Sequence, residues 1–366
     1  MDMKRVLLFL AAFWGSVTLL HAAPEIVFTD ASSFPLYGKA VAETEHLYER
    51  LPAGYRDSFR KPLWGLGCNS AGLCIRFRSD SRSIHCRWES LNKKSMTHMA
   101  DAGTRGVDLY ALVDGEWRWV GTGRPNAKKA ENEARLVKGM DGTMREYMLY
   151  LSLYDGVKSL EIGVEEGAQL RQPVQDLPRR DRKVVMYGTS VLQGGCCSRP
   201  GMAYTNIISR RLGREVINLG FSGNALLDYE VAELMTRVED PGVFVMDNTG
   251  NCKLRHIEER TEHFFRILRK AHPDVPVIFV GPTHHPDEIV DLTRRTNTKK
   301  KTELLLGIIE RLKKSGEKNI FYVPSQMFSG DDGEGSVDGS HFTDLGMTRY
   351  ADVLTPVITK ALKKSK

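Results

Sequence analysis

The sequence contains no CxxC pair, no large excess of one charge and only one long apolar run. Without CxxC pairs a structural zinc site is not expected, and six cysteines in 366 residues are too few for a disulfide scaffold. The net charge of +6 is small, so we expect no nucleic-acid partner. With 27% charged residues and 15 prolines, neither disorder nor a collagen-like structure is expected.

The long apolar run lies at the start of the chain. Lys4 and Arg5 precede residues 6–20, which are almost wholly apolar, and two alanines close the run. This order is typical of a secretory signal peptide, which we place at residues 1–23. A membrane anchor is the alternative, but the run is shorter than the ~20 residues of a spanning helix. We therefore predict export, to the periplasm or beyond, and no membrane span in the mature chain.

The length and a change of periodicity predict two domains. Across residues 24–178, apolar and polar residues alternate, as at residues 73–78 and 84–88, which indicates half-buried strands. Asp114-Gly115 and Asp155-Gly156 lie between such runs and predict hairpins. Long helical patterns are absent. The first half is therefore predicted to be an antiparallel β-sandwich.

The second half alternates short apolar strands with amphipathic helices. The polar residues 172–182 are predicted to be a linker, and the second domain is placed at residues 183–366. Strands that alternate with helices indicate a flavodoxin-like, doubly wound parallel sheet. Ligand sites in such sheets lie at the carboxyl ends of the strands. The five predicted strands are residues 184–187, 216–219, 243–247, 275–280 and 320–323.

Polar residues follow these strands in four blocks. Ser190 lies at a glycine-flanked turn after the first strand, Gly223 follows the second, and Asn251 follows the third. Asp338 and His341 are three residues apart before the last helix, so the carboxylate can orient the ring while the ring removes the serine proton. Taken alone, the glycine block is equally well explained as a turn, and each of the other three blocks is better explained as a turn, a helix cap or a surface residue. Together, at one rim of a sheet, they predict a catalytic site.

At these residues the sequence resembles the SGNH, or GDSL-type, hydrolases, which carry a serine, a glycine, an asparagine and an Asp-x-x-His block in this order. The resemblance covers roughly residues 183–366. It implies that Ser190 is the nucleophile and that Asp338 and His341 complete the triad. It also implies an oxyanion hole formed by the Ser190 N–H, Gly223 and Asn251, with no metal or organic cofactor.

The first half carries a second resemblance. Residues 106–110, Gly-Val-Asp-Leu-Tyr, match the GxDLY motif of a sandwich domain found ahead of such esterases. The whole architecture is similar to that of two-domain carbohydrate acetylesterases. Two positions depart from the family pattern: Thr189 replaces the Asp beside the nucleophile, and Cys252 replaces the Asp after the asparagine. Neither change removes a triad member or an oxyanion donor, but both leave the substrate preference open.

These resemblances imply an exported serine esterase that removes a small acyl group, acetyl above all, from a carbohydrate. An acylated carbohydrate is thus the expected partner, and the oligomeric state stays open. A lipid-directed esterase or lysophospholipase is one alternative, which would need an apolar acyl-chain channel. A non-catalytic glycan-binding protein is another, although the intact set of Ser190, Asp338 and His341 argues against it.

Further residues are predicted around the rim. His98, in the loop before the GxDLY motif, is predicted to contact substrate, although a histidine of a surface loop without such a role is the more common case. His284 and His285, after the fourth strand, are predicted to line the pocket. With no acidic partner at metal-ligand spacing, we predict no metal site there. The tryptophans on strand-like runs are predicted to be core residues rather than sugar-stacking ones; they are Trp88, Trp117 and Trp119.

Three cysteines lie beside the predicted catalytic residues. Cys196 and Cys197 follow Ser190, and Cys252 follows Asn251. Because the first and third strands of a flavodoxin-like sheet are neighbours, we predict a disulfide from Cys196 or Cys197 to Cys252. Buried free thiols are the alternative.

Overall fold

The computed structural model describes residues 24–324, 328, 330 and 332–364. The predicted signal peptide at residues 1–23 lies outside these residues. Among the residues described, no helix has the length and apolar character to cross a membrane. Two antiparallel sheets form the first half of the chain, and one parallel sheet forms the second half.

The first half contains ten strands and two short helices, α1 (Lys61–Gly67) and α2 (Asp101–Arg105). The strands are β1 (Ile26–Asp30), β2 (Leu36–Tyr37), β3 (Cys74–Ser79), β4 (Ile84–Ser90), β5 (Val107–Val113), β6 (Glu116–Gly123), β7 (Glu131–Val137), β8 (Arg145–Tyr150), β9 (Val157–Glu165) and β10 (Leu170–Arg171). One sheet has the order β1-β9-β4-β7 and the other β10-β3-β8-β5-β6, with β2 paired to β3. Alternate side chains, among them Phe77, Leu109 and Ile162, are buried in one core. The predicted sandwich is confirmed.

One of the two predicted hairpins is present. Asp114-Gly115 connects β5 to β6, in which Val113 pairs with Glu116. The second prediction is wrong, because β8 pairs with β3 and β5 whereas β9 belongs to the other sheet. The buried Asp155 carboxylate instead accepts hydrogen bonds from the backbone N–H groups of Asn92 (2.9 Å) and Lys94 (3.0 Å). It therefore anchors the loop that leads to His98.

The three tryptophans have different environments. Trp88 is buried, as predicted, and its Nε1 donates to the Arg105 carbonyl (3.0 Å). Trp117 is only partly buried. Trp119 is 50% exposed, so the core prediction is wrong for it. The reason is that its side chain does not join the core between the two sheets but lies on the opposite face of its sheet, beside the Arg199 guanidinium.

The second half contains β11 (Arg179–Gly188), β12 (Arg214–Gly220), β13 (Pro241–Asp247), β14 (Val277–Val280) and β15 (Ile320–Val323). Its helices are α3 (Ser190–Gln193), α4 (Tyr204–Leu212), α5 (Tyr229–Thr236), α6 (Leu254–Ala271), α7 (Leu292–Lys314) and α8 (Asp344–Leu362). The strands are parallel in the order β12-β11-β13-β14-β15, which is the flavodoxin-like order and confirms that prediction. The predicted linker at residues 172–182 is too long, because β11 already begins at Arg179; polarity there reflects an exposed strand end.

Helices cover both faces of the parallel sheet. Val185 and Tyr187 of β11 point to the face that packs against α5, α6 and α7. Val184 and Met186 point to the opposite face, which packs against α4 and α8. Successive side chains point to opposite faces, and both faces are buried under helices. A strand of a doubly wound sheet is therefore apolar along its whole length.

The predicted disulfide is absent, and Cys196, Cys197 and Cys252 are all free thiols. The loops after β11 and β13 do leave neighbouring strands. However, Cys252 packs on the α6 face of the sheet, while Cys196 and Cys197 pack on the α8 face. The sheet therefore separates the sulfur atoms, and the alternative of buried free thiols is what the structure shows.

Candidate active site

Ser190, His341 and Asp338 form a hydrogen-bonded chain at the carboxyl edge of the parallel sheet. His341 Nε2 lies 2.9 Å from Ser190 Oγ, and His341 Nδ1 lies 2.8 Å from Asp338 Oδ2. Asp338 Oδ1 also accepts the backbone N–H groups of Ser340 (2.9 Å) and His341 (2.8 Å). The carboxylate thus fixes both the loop and the ring, so that Nε2 faces the serine.

Two groups near Ser190, the Asp338 carboxyl and the Cys196 thiol, have pKa values that are shifted in opposite directions. Burial alone would raise the pKa of Asp338, but hydrogen bonds from the His341 ring and from two backbone N–H groups lower it to about 2. The carboxylate is therefore ionised and can stabilise a protonated His341. Burial, with a smaller effect of the Asp338 charge, raises the pKa of the Cys196 thiol to about 12. With no cation bound, Cys196 is therefore a protonated thiol at neutral pH.

Gly223 and Asn251 lie across a cleft from Ser190. Gly223 has a φ of +67°, which favours glycine, and no atom lies within 4 Å of the position that a Cβ would take. Asn251 Oδ1 accepts a hydrogen bond from the N–H of Ala225 (3.3 Å), so the Nδ2 donor of the same amide points away from the Ala225 backbone. The loop that contains Gly223 is held by Gln193, whose Oε1 accepts a hydrogen bond from the N–H of Ser222 (3.0 Å). The three predicted oxyanion donors therefore border one cleft.

The cleft has a volume of about 330 Å³. Apart from Val191, which is aliphatic, the described residues that line it carry hydroxyl, amide or imidazole groups or are glycines. A larger cavity of about 670 Å³ lies at the opposite, amino-terminal edge of the sheet, near Arg180 and Glu215, and contains none of the predicted site residues. The residues that line the smaller cleft are Thr189, Ser190, Val191, Ser222, Gly223, Gly250, Asn251, Thr283, His285, Ser340 and His341.

The predicted histidines occupy three different positions. The ring centroid of His98 lies 5.5 Å from that of His341, so this loop of the first half does reach the catalytic rim. His285 lines the cleft, with Nδ1 2.7 Å from the Gly339 carbonyl oxygen. His284 does not line it, because its Nδ1 lies 3.0 Å from Glu288 Oε2. Of the two histidines predicted to line the pocket, the structure therefore places His285 in the cleft but not His284, since neighbouring residues of an extended segment point in opposite directions.

Residues of the sandwich half support the turn at Ser190. No sequence pattern pointed to them. The Tyr154 hydroxyl donates to the Ser190 carbonyl (3.0 Å), and Gln193 Nε2 donates to the Leu153 carbonyl (3.1 Å). Gly195 packs between the halves, because a Cβ there would lie 2.8 Å from Tyr154 Oη and 3.0 Å from His341 Cδ2. No local pattern marks Leu153 or Tyr154, which lie after β8.

The GxDLY motif also lies at this interface. Tyr110 Oη accepts a hydrogen bond from the Arg199 guanidinium (2.6 Å), and the same guanidinium lies 5.0 Å from the ring of Trp119. Trp119 Nε1 in turn donates to Asp108 Oδ1 (2.8 Å). The motif therefore binds the segment that follows the nucleophile helix α3.

Comparison with known families agrees with this architecture. Residues 26–170 match the family model described as the N-terminus of Esterase_SGNH_hydro-type, and residues 181–359 match the GDSL-like Lipase/Acylhydrolase family. A solved structure from Bacteroides ovatus ATCC 8483, described as a GDSL-like lipase, is 36% identical, with a TM-score of 0.87 over 93% of this chain and 98% of that chain. The chain belongs to the GDSL-like lipase/acylhydrolase family, which makes it an esterase with the SGNH hydrolase fold.

Two less similar structures share the fold. The salicylyl-acyltransferase SsfX3 from a tetracycline biosynthetic pathway is 18% identical, with a TM-score of 0.71 over 93% of this chain and 99% of that chain. A family two carbohydrate esterase from Clostridium thermocellum, in complex with cellohexaose, is 15% identical, with a TM-score of 0.57 over 81% and 94%. No curated protein matches the chain.

Proposed function

We propose that the protein is an exported serine esterase that hydrolyses small acyl esters, acetyl above all, on carbohydrates. The observation that carries the proposal is the chain of hydrogen bonds from Asp338 through His341 to Ser190, which ends in a small polar cleft. The signal-like pattern of residues 1–23 supports export, which is tested by whether the mature protein recovered from cells lacks these residues.

Acylation of Ser190 is the first step. Its Oγ attacks the ester carbonyl while His341 Nε2 takes the hydroxyl proton, and Asp338 stabilises the resulting imidazolium. Negative charge develops on the carbonyl oxygen. The N–H groups of Ser190 and Gly223 and the Nδ2 of Asn251 border the cleft where that oxygen would lie, so they are suited to stabilise it.

Release of the products completes the reaction. His341 gives its proton to the departing alcohol oxygen, and the alcohol leaves with the acyl group still attached to Ser190 Oγ. Water then attacks the acyl carbonyl while His341 takes its proton, and the carboxylate leaves as Ser190 regains a hydrogen. Each step uses protein groups and water, so no cofactor is needed.

The cleft favours a short acyl group over a lipid chain. Among the residues that the structure describes, Val191 is the one aliphatic side chain of its lining, and the others are hydroxyl, amide, imidazole and glycine residues. A long acyl chain placed against this lining would leave buried polar groups without partners, which is costly. An acetyl group buries little apolar surface and fits about 330 Å³ together with part of a sugar ring.

A carbohydrate is proposed as the alcohol part of the ester. His98 and His285 lie at the rim, where ring nitrogens can exchange hydrogen bonds with sugar hydroxyls. The family two carbohydrate esterase that shares this fold was solved with cellohexaose, which supports the choice. A purely glycan-binding role is less well supported, because the hydrogen-bonded triad is intact.

The test is hydrolysis of p-nitrophenyl esters of increasing chain length by the wild type and by Ser190→Ala. Acetate cleavage that falls steeply with chain length and vanishes in Ser190→Ala would support the proposal, and release of acetate from acetylated polysaccharides would extend it. Ser198→Ala is the matched control, since the Ser198 hydroxyl donates to Asp344 outside the cleft. Preference for long chains would favour the lipid alternative, and equal rates in wild type and Ser190→Ala would overturn the assignment of Ser190.

A further inference from the structure

We propose that His98, Cys196 and His341 form a binding site for Zn²⁺ or a chemically similar divalent cation, and that a cation bound there blocks the esterase. The inhibitory consequence rests on the function proposed above, whereas the cation site itself does not. The site joins a loop of the sandwich half, the segment after α3 and the loop before α8.

The three side chains converge at the catalytic rim. One ligand atom of each, a ring nitrogen of His98 and of His341 and the Sγ of Cys196, lies within 4.8 Å of the other two. Tetrahedral Zn²⁺ with bonds of about 2.0–2.3 Å separates its ligands by about 3.5 Å. Closure by about an ångström therefore suffices. His98 is half-buried and lies on a loop, so its ring can make that adjustment.

His341 already has the orientation of a metal ligand. Its Nδ1 faces the Asp338 carboxylate and carries the hydrogen, so Nε2 holds the lone pair. Histidines that bind metals almost always donate their other ring N–H to a carboxylate, a carbonyl or water in this way. The bond that activates the catalytic base thus also prepares it for a cation, which would displace the contact between Nε2 and the Ser190 hydroxyl.

The other two ligands are free of competing bonds. Within residues 24–324, 328, 330 and 332–364, neither a ring nitrogen of His98 nor the Sγ of Cys196 has a hydrogen-bond partner, and Cys196 is not in a disulfide. Metal binding therefore breaks no internal hydrogen bond at these two residues. As the Zn–S bond forms, the S–H bond of Cys196 breaks and its proton goes to solvent.

The ligand set selects the cation. Two imidazoles and one thiolate suit Zn²⁺ and its borderline-soft relatives, whereas Mg²⁺ and Ca²⁺ require oxygen ligands. A cation on His341 Nε2 occupies the lone pair that must accept the Ser190 proton. Acylation therefore stops for as long as the cation is bound, and a chelator restores it.

The first test is inhibition of p-nitrophenyl acetate hydrolysis by Zn²⁺. We expect Zn²⁺ to inhibit the wild type and Mg²⁺ to leave it unaffected. Cys196→Ser should keep its basal activity, because Cys196 is outside the triad and the oxyanion hole, and should need about tenfold or more Zn²⁺ for the same inhibition. Cys68→Ser, a matched change at a thiol outside the cluster, should behave like the wild type. Equal inhibition of the wild type and Cys196→Ser, or no inhibition of the wild type, would overturn the proposal.

The second test does not depend on activity. Co²⁺ added to the protein should produce the charge-transfer absorption of a Co²⁺–thiolate bond in the wild type and also in the inactive Ser190→Ala. The band should be missing in Cys196→Ser and weakened in His98→Ala, which serves as a second variant if Cys196→Ser folds poorly. Absence of the band in the wild type would refute the cation site even if the esterase proposal holds. A band in a wild-type protein that shows no esterase activity would refute the esterase proposal and leave the cation site intact.

Discussion

The Oδ2 atom of Asp108 in the sandwich accepts a hydrogen bond of 2.9 Å from the backbone N–H of Gly201, just beyond the nucleophile helix. The same oxygen accepts from the Arg199 guanidinium at 2.6 Å, and Asp108 is fully buried. A Cβ on Gly201 would lie 2.4 Å from Tyr110 Cε2, so the two halves of the chain could not approach this closely if any other residue stood at position 201. The sandwich therefore helps to hold the catalytic segment in place.

Asp108→Asn is expected to lower the free energy of unfolding by roughly 2–3 kcal/mol, because the half-buried Arg199 guanidinium loses the charge of its buried carboxylate partner. Chemical denaturation followed by fluorescence measures the change. The matched control is Asp141→Asn, which removes an exposed partner of Arg145 and should leave the stability nearly unchanged. Similar losses in both variants would contradict a structural role for the GxDLY aspartate.

Asn251→Ala is expected to lower kcat for p-nitrophenyl acetate by about a hundredfold or more, with little change in KM, because an oxyanion donor acts mainly in the transition state. Asn297→Ala, an exposed asparagine on α7, is the control. Steady-state kinetics of both variants provide the comparison. An unchanged kcat would remove Asn251 from the oxyanion site.

Gly195→Ala is expected to lower kcat by about tenfold or more. The new methyl group would lie against Tyr154 Oη and His341 Cδ2, so the imidazole must shift relative to Ser190. Gly65→Ala, where no atom lies within 4 Å of the added Cβ, should retain full activity. If Gly195→Ala kept the wild-type kcat, tight packing against His341 would not matter for the reaction.

His98→Ala is expected to raise KM for an acetylated oligosaccharide more than KM for p-nitrophenyl acetate. The reason is that only the former carries sugar hydroxyls that can reach the ring beside His341. Measuring both substrates with the same preparation controls for misfolding. Equal changes on the two substrates would mean that His98 does not contact the sugar.

Asp247, at the end of β13, gives the stability a defined pH dependence. Burial raises its pKa to about 7, although hydrogen bonds from Tyr204 and Tyr350 act in the opposite direction. The pKa of the Asp247 carboxyl in the folded protein lies above its value in the unfolded chain, which is near 4. Its contribution to the free energy of unfolding is therefore fully present below pH 4 and is lost as the pH rises to 7. The difference in unfolding free energy between the wild type and Asp247→Asn should therefore fall by roughly 4 kcal/mol between pH 4 and pH 8.

Denaturation of both proteins in buffers across that range tests this prediction. The comparison isolates one carboxyl, because the other titrating groups are common to the two proteins. A difference that does not vary with pH would show that Asp247 does not titrate in this range.

Local patterns predicted the elements but not all of their connections. Alternating apolar and polar residues identified strands of the first half, because one face of such a strand is buried. Short, wholly apolar runs identified the strands of the second half, because helices cover both faces of their sheet. Asp155-Gly156 failed as a hairpin signal, because its carboxylate is used by the loop at Asn92 and Lys94. A dipeptide does not reveal which sheet the next strand will join.

Sequence patterns were enough to predict the two-half architecture and the convergence of Ser190, Gly223 and Asn251, since parallel strands all end at one edge of their sheet. They also indicated that Asp338 lies close to His341, because three residues in one loop keep them in contact. Which residues from other parts of the chain approach this edge depends on the tertiary fold. It separated Cys252 from Cys196 by placing them on opposite faces of the sheet, and it brought His98 to the catalytic rim, because contacts between distant segments depend on the packing of the whole chain.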